Sequence, residues 1–459
     1  MERIHIYHTN DLHSHFENWP RIQEFLLEQR EYNRQKNEEV LIFDIGDALD
    51  RVHPLTEATD GKANIAALNQ IHYDGATIGN NEGVGNSKKQ LNQLYSEANF
   101  PVLLANLIDK ETNLKPEWAE LFKIYQTKSG HRIGVFGLTA PFPTSYEPNG
   151  WHVIEPDDCI PELLEILIPM VDSIFLLSHL GIEEDRKIAN MYPMINLIMG
   201  SHTHHLLPTG EKNRETFVTA AGKFGQHIGH ITLELAAGKI QHEEAEVIAT
   251  CSLPPTANEA KLISDYEEQG HIQLKEQQIA YLPNAFPISW KGSSPLVKLG
   301  LKAIKDYAQT EVAIVNAGLF MEPLQKGIVS KNDLHQILPH PMRVLTCTLD
   351  GENLERLILE MEKNRNYLRY FPIKGLGFRG KLFGEICYDG ISYDNESQTV
   401  YWQGAKLEPQ KEYTLATVDH FLYVPFFPTI EIKGSNQVLF PFFIRDVLGQ
   451  YLKRNYPIA

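Results

Sequence analysis

Seven side chains able to hold a divalent cation stand at or just after the ends of five apolar runs. "RIHIYHTND" leads into "LHSH" and supplies Asp11 and His13, and "VLIFDIGD" supplies Asp47. "DGATIGNN" supplies Asn80, "SIFLLSHLG" supplies His179, and "INLIMGSHTHH" supplies His202 and His204. Asp11 and His13 lie two apart, so an extended backbone puts both on one face. Carboxylate, imidazole and amide oxygen together suit two closely spaced divalent ions of the Mn, Zn, Fe or Co type. Asp47, the central acidic group of the set, is the natural shared carboxylate. Any one of these residues reads equally well as a helix-capping aspartate or a hydrogen-bonded histidine. Seven at successive run ends do not.

Such a set needs elements that bring distant residues to one edge. Through the first half, short apolar runs alternate with longer helical patterns, the rhythm of an α/β sandwich with buried strands. In such folds strand ends and the loops after them build the site. The spacing predicts a first domain over 1–257. The charged stretch from Asn258 onward, with no proline and one glycine up to residue 279, predicts a helical connector within 258–284. A second domain with its own strands ("EVAIVNAG", "RVLTCTLDG", "EYTLATVD") and the helix "NLERLILEMEKNR" is expected over 285–459.

Composition narrows the function. The 459 residues carry 42 basic against 59 acidic side chains, a formal charge of −17 without acidic blocks. That balance argues against a nucleic-acid polymer or an anionic membrane as partner and requires any phosphorylated small molecule to meet locally placed cations. No apolar run is long enough to span a bilayer, and the first residues lack the pattern of a secretion signal, so a cytoplasmic protein is expected. Cys159, Cys251, Cys347 and Cys387 form no paired motif and are expected to be buried, reduced thiols.

The ordered set "DLH", "GD", "GNNE", "SHLG" and "GSHTH" resembles the calcineurin-like metallophosphoesterases, and within them the 5′-nucleotidase/UDP-sugar hydrolase family. "NAGLF" and "LTCTLDGENLERLILEME" are similar to that family's C-terminal domain, so the likeness spans nearly the whole chain. It implies a four-layer αββα sandwich followed by a smaller α+β domain. It also implies hydrolysis of phosphate esters, with Asp11, His13, Asp47 and His204 holding one metal and Asp47, Asn80, His179 and His202 the other.

One departure stands out. The family has a histidine after the amide ligand that serves the leaving group, oriented by an aspartate three residues on; here those positions are Asn81 and Val84. Asparagine can donate a hydrogen bond to a phosphoryl oxygen but cannot deliver a proton near neutral pH. His15 and His205 are the nearest histidines in sequence that could take the task. In the second half, the resemblance places Arg365 at a phosphate-binding position and Phe383, with Phe426 or Phe427, at base-stacking positions. The expected function is a two-metal phosphoesterase acting on nucleotide-like esters or anhydrides. A metal-bound nucleotide sensor weakened in catalysis is the alternative.

Overall fold

The computed structural model describes residues 2–236, 238–373, 375 and 377–458. The chain divides into two compact units, Met1–Gly270 and His271–Ala459.

In the first unit, the strands β1 (Glu2–Thr9), β2 (Glu39–Asp44) and β3 (Gly75–Ala76) pair in parallel at the centre of a seven-stranded sheet. The strands β4 (Ser173–His179), β5 (Leu197–Gly200) and β6 (Thr216–Ala220) pair in parallel in a six-stranded sheet. All seven residues of β4 are buried, as expected of a parallel strand covered on both faces. Alternate side chains divide between two cores. Ile4, Ile6, Leu41 and Phe43 of one sheet meet Phe175, Leu177, Leu197 and Met199 of the other. On the opposite faces, Tyr7 and Ile42 pack with Ile22 and Leu26 of the helix α1 (Trp19–Gln35). Leu176 and Ile198 pack with Ile160, Leu164 and Ile188 from the helices on the second sheet. The unit is therefore layered helix, sheet, sheet, helix. Each fully buried aliphatic side chain contributes about 1.5–3 kcal/mol, which makes this sandwich a stiff platform for the loops at its edge.

The charged stretch forms the helix α2 (Glu259–Glu276). The expected connector ends early: Gln278–Leu282 is a strand paired with Gly327–Ser330, so these residues belong to the sheet structure of the second unit. That unit is built on a five-stranded mixed sheet in which Ala313–Asn316 lies between Ile386–Asp389 and Glu412–Val418, with Arg343–Asp350 and Ser435–Phe443 following. Helices including α3 (Gly351–Leu368) cover it. Cys159, Cys347 and Cys387 are buried free thiols as expected, whereas Cys251 is exposed because it lies in the short turn after an edge strand. Among the described residues no helix is long and apolar enough to cross a membrane.

The second unit also holds a buried neutral histidine. His340 donates from Nε2 to the Leu319 carbonyl at 2.7 Å, accepts the Arg379 N–H at Nδ1 at 2.9 Å, and stacks on Phe378. Burial lowers its pKa to about 3. Because the folded pKa lies below the unfolded one, the unfolded chain takes the proton first. The stability involved is complete above about pH 6.5 and lost as pH falls toward 3, at about 1.4 kcal/mol per unit. His340→Gln, which keeps a donor and an acceptor, should flatten the loss of melting temperature between about pH 7.5 and 4.5. Equal losses in the two proteins would show that the ring takes its proton while folded.

Candidate metal centre

The predicted donors all lie where parallel strands end. Asp11 and His13 follow β1, Asp47 follows β2, Asn80 opens the short helix after β3, His179 ends β4, and His202 and His204 follow β5. The loops are tied by backbone hydrogen bonds: Asp11 N–H to Gly46 O at 3.0 Å and His13 N–H to Asp47 O at 2.9 Å. Glu82 locks the third loop to them, accepting the N–H groups of Asp47 at 2.9 Å, Gly79 at 2.8 Å and Leu49 at 3.2 Å. Space is tight enough to demand glycine. A Cβ on Gly79 would sit 2.0 Å from Asp47 Oδ1, and one on Gly46, at φ +82°, would sit 2.4 Å from Gly79 N.

Five of the seven donor residues have left-handed backbones: Asp11, His13, Asp47, His202 and His204, with φ between +47° and +72°. Asp and His tolerate this region better than most side chains, yet each such residue costs roughly 1–3 kcal/mol. Strain of this kind concentrated at one edge marks a functional site.

Asp11, Asn80 and His179 each have one polar side-chain atom anchored and the other bare. Asp11 Oδ2 accepts from Asn10 Nδ2 at 2.9 Å, Ser201 Oγ at 2.7 Å and the His202 N–H at 3.2 Å. His179 donates from Nδ1 to the Ile45 carbonyl at 2.8 Å, which leaves the Nε2 lone pair free to ligate. Asp11 Oδ1, Asn80 Oδ1 and His179 Nε2 are buried and make no hydrogen bond. His13 Nε2, His204 Nε2 and Asp11 Oδ1 form a triangle with edges of 3.2, 3.5 and 3.7 Å. Two donors each about 2.1 Å from one ion lie about 3–3.6 Å apart, so the triangle has the dimensions of a ligand set. The donor atoms of Asp11, Asp47 and His179 form a second group within 4.8 Å. Asp47 Oδ2 stands between the groups, 3.5 Å from His179 Nε2 and 3.8 Å from His13 Nε2. His202 lies against His179, with ring centroids 5.2 Å apart. These residues fit a divalent-metal centre.

The electrostatics agree. Burial opposes ionisation of Asp47, but His179 and His13 hold its carboxyl well below the usual carboxylate range. Burial likewise disfavours a charged His179, yet Asp47 and Asp11 push it up to about 10. Burial and the charge of His179 lower His202 to about 4. A protonated His179 offsets the buried acids around it, and a divalent ion bound there would take that proton's place.

Asn81 does not reach outward. Its N–H donates to Asp47 Oδ1 at 2.7 Å, and its amide nitrogen contacts His13 Nδ1 and the Leu49 carbonyl, each at 2.9 Å. Nδ2 donates to the Leu49 carbonyl while Oδ1 accepts from Asn80 Nδ2 at 3.2 Å, so the amide is held in one orientation against His13. Val84 is half-buried and packs on the apolar core. His15 pairs with Glu17 at 2.5 Å and lies on the Phe224 ring, and His205 contacts Thr203 Oγ1 at 2.9 Å.

The second unit corrects the expected substrate contacts. Phe383 and Phe427 fill its hydrophobic core at 0% and 1% exposure, so neither presents a face to a ligand. Arg365 is tied by Glu362, by Glu385 and by the Ile386 carbonyl, and burial of its partners leaves no free fork for a phosphate. Phe426 is half-buried and meets Phe371 at 5.2 Å and the exposed Tyr367 at 6.0 Å. Tyr367 and Phe371 come from the "NYLRYF" stretch at the end of α3, whose aromatics recur every three or four residues.

The chain is 36% identical over 458 residues to an uncharacterised metallophosphoesterase, YunD, of Bacillus subtilis, with 98% of each chain covered. The chain belongs to the metallophosphoesterase family. Residues 276–423 match the model of the 5′-nucleotidase C-terminal domain. This metallophosphoesterase is also 22% identical over 528 residues to protein UshA of Yersinia enterocolitica, covering 99% of this chain and 92% of that one. Its fold is shared by a 5′-nucleotidase structure from Staphylococcus aureus (TM-score 0.68, 17% identity, 100% and 98% covered) and by NAD nucleotidase from Haemophilus influenzae (TM-score 0.67, 16% identity, 99% and 96% covered). The protein is accordingly a metal-dependent hydrolase of phosphate esters.

Gly79→Ala should keep the far-ultraviolet circular dichroism of this metallophosphoesterase while lowering its affinity for added Mn²⁺ at least about tenfold, since the new methyl displaces Asp47. Unchanged affinity on titration would remove Asp47 from the centre.

Proposed function

We propose that this metallophosphoesterase holds two divalent ions and cleaves phosphate from nucleotide-like compounds with stable leaving groups, anhydrides and aryl esters ahead of nucleoside 5′-monophosphates. The observation that carries the reading is the placement of Asn81. The position that in the resembled family serves the leaving group here braces His13 and Asp47.

Asp11, His13 and His204 would hold one ion, and Asn80, His179 and His202 the other, with Asp47 between them. Divalent ions bound there supply Lewis-acid polarisation of the phosphoryl group and an activated water. The protein's own part is to hold the donors: Ser201 and Asn10 orient Asp11, the Ile45 carbonyl sets the His179 tautomer, and Glu82 fixes the Asp47 loop. The Asn81 amide cannot protonate a departing alkoxide. A missing general acid costs about 10²–10⁴-fold for a poor leaving group and little for a good one.

Relatives named 5′-nucleotidase and NAD nucleotidase support a nucleotide-like substrate. In the second unit the exposed Tyr367 with Phe426 and Phe371 offers an aromatic surface suited to a base, in place of the buried Phe383 and Phe427.

The test is kcat/KM with metal-loaded protein across phosphate esters of graded leaving-group pKa. The expected result is a steep decline as that pKa rises, and a gain for Asn81→His that is larger on monophosphates than on aryl phosphates. A flat dependence in the unmodified protein would overturn the reading. Separately, Tyr367→Ala and Phe426→Ala should each raise KM for the best nucleotide by about three- to tenfold with kcat nearly unchanged. Unaltered KM in both variants would place base recognition elsewhere.

A further inference from the structure

Phe224 follows β6 in "AAGKFGQ", between Gly222 and Gly225, both with left-handed backbones. It is itself left-handed at φ +62°, which is a genuine outlier for a bulky aromatic residue. Two hydrogen bonds impose the conformation. Its N–H donates to the Asp11 carbonyl at 2.7 Å, and its own carbonyl accepts from Asn18 Nδ2 at 2.8 Å. A glycine at 224 would adopt the same φ without strain and make the same backbone bonds. The side chain must therefore be the reason that phenylalanine is there.

The ring has definite neighbours. It meets His13 edge-on at 5.7 Å between centroids, lies 6.3 Å from His204, and packs against His15 at 3.9 Å. Lys223 Nζ stands 4.6 Å from its centroid. Together with the bond to Asp11, one residue touches all three members of the Asp11, His13 and His204 triangle. Its ring contacts among the described residues include neither His179 nor His202.

We propose that Phe224 is a positioning residue that presets His13 and His204 for one ion of the pair, and that its strained backbone is retained because no relaxed conformation brings the ring against both imidazoles. The inference rests on the two-ion reading above. Losing the ring frees two histidine side chains to sample other rotamers, and that entropy must be recovered each time an ion binds.

The experiment titrates metal-free protein with Co²⁺, following heat and the visible absorption of the bound ion, for the unmodified protein and for Phe224→Gly, Phe224→Leu and Phe224→Tyr. Phe224→Gly should melt at or above the temperature of the unmodified metal-free protein, because strain is relieved. It should nonetheless bind one ion at least about tenfold more weakly while the other changes less than about threefold. Phe224→Leu, which retains the Cβ and apolar bulk, should show the same loss, and Phe224→Tyr should restore both affinities. In a His13→Ala background, Phe224→Leu should cost less than it does in the unmodified protein, because only His204 is left to position. Two ions bound normally by both Phe224→Gly and Phe224→Leu, or both ions weakened equally, would overturn the positioning role while leaving the two-ion reading intact. An unmodified protein that binds fewer than two ions would overturn that reading and this inference with it.

Discussion

Three buried polar atoms on three different loops, Asp11 Oδ1, Asn80 Oδ1 and His179 Nε2, find no hydrogen bond within the protein. A buried polar group without a partner costs roughly 1–3 kcal/mol, more when charged, and folded proteins rarely leave several together. Asp11 Oδ2, Asn80 Nδ2 and His179 Nδ1 are each hydrogen-bonded, which resists turning the bare atoms away. The sandwich below must therefore be stable enough to hold these groups in place, and the loops around them are built to do so: Glu82 gathers three N–H groups, and Gly46 and Gly79 pass within distances no side chain would allow. Much of the remaining architecture follows from this need to aim lone pairs at one small volume. Parallel strands are suited to it because their ends all face the same way.

The same constraint explains which parts were legible in the sequence. That the seven candidate donors would gather at one edge could be read because each sits within a few residues of an apolar run, and a run that must be buried on both faces has few alternative structures. The strained backbones at those donors left no trace, since Asp and His are ordinary residues at loop starts. Asn81 was recognised as a departure, but its actual work was hidden because His13 lies 68 residues away. Arg365 looked available in part for the analogous reason: Glu385 is 20 residues away, although its other partner, Glu362, lies three residues before it on the helix. Phe383, Phe426 and Phe427 differ only in packing, and an aromatic residue has the same letter in a core as on a surface. The connector helix was visible from its charge and lack of proline, while its end was not, because Gln278–Leu282 becomes a strand only through its pairing with Gly327–Ser330.

The two units also differ in how they treat charge. The first concentrates buried carboxylates and imidazoles around an opening that calls for a cation. The second neutralises its half-buried arginines internally, with Arg365 and Arg369 both on Glu385 and Arg365 also on Glu362. In a chain of formal charge −17, these two arginines are already paired within their own unit and offer no free charge to an anion.

Val84 carries a last implication. It packs half-buried against the apolar core beside Asn81, so an aspartate there would lose its hydration without a prepared partner. A histidine reintroduced at 81 would abandon the bonds that now hold His13 and would arrive without its orienting carboxylate. A histidine alone should therefore gain less than a histidine with a carboxylate set to orient it. Positions 81 and 84 are thus coupled through what surrounds them: a proton donor at one is worth little until the other is rebuilt from an apolar packing site into a polar one.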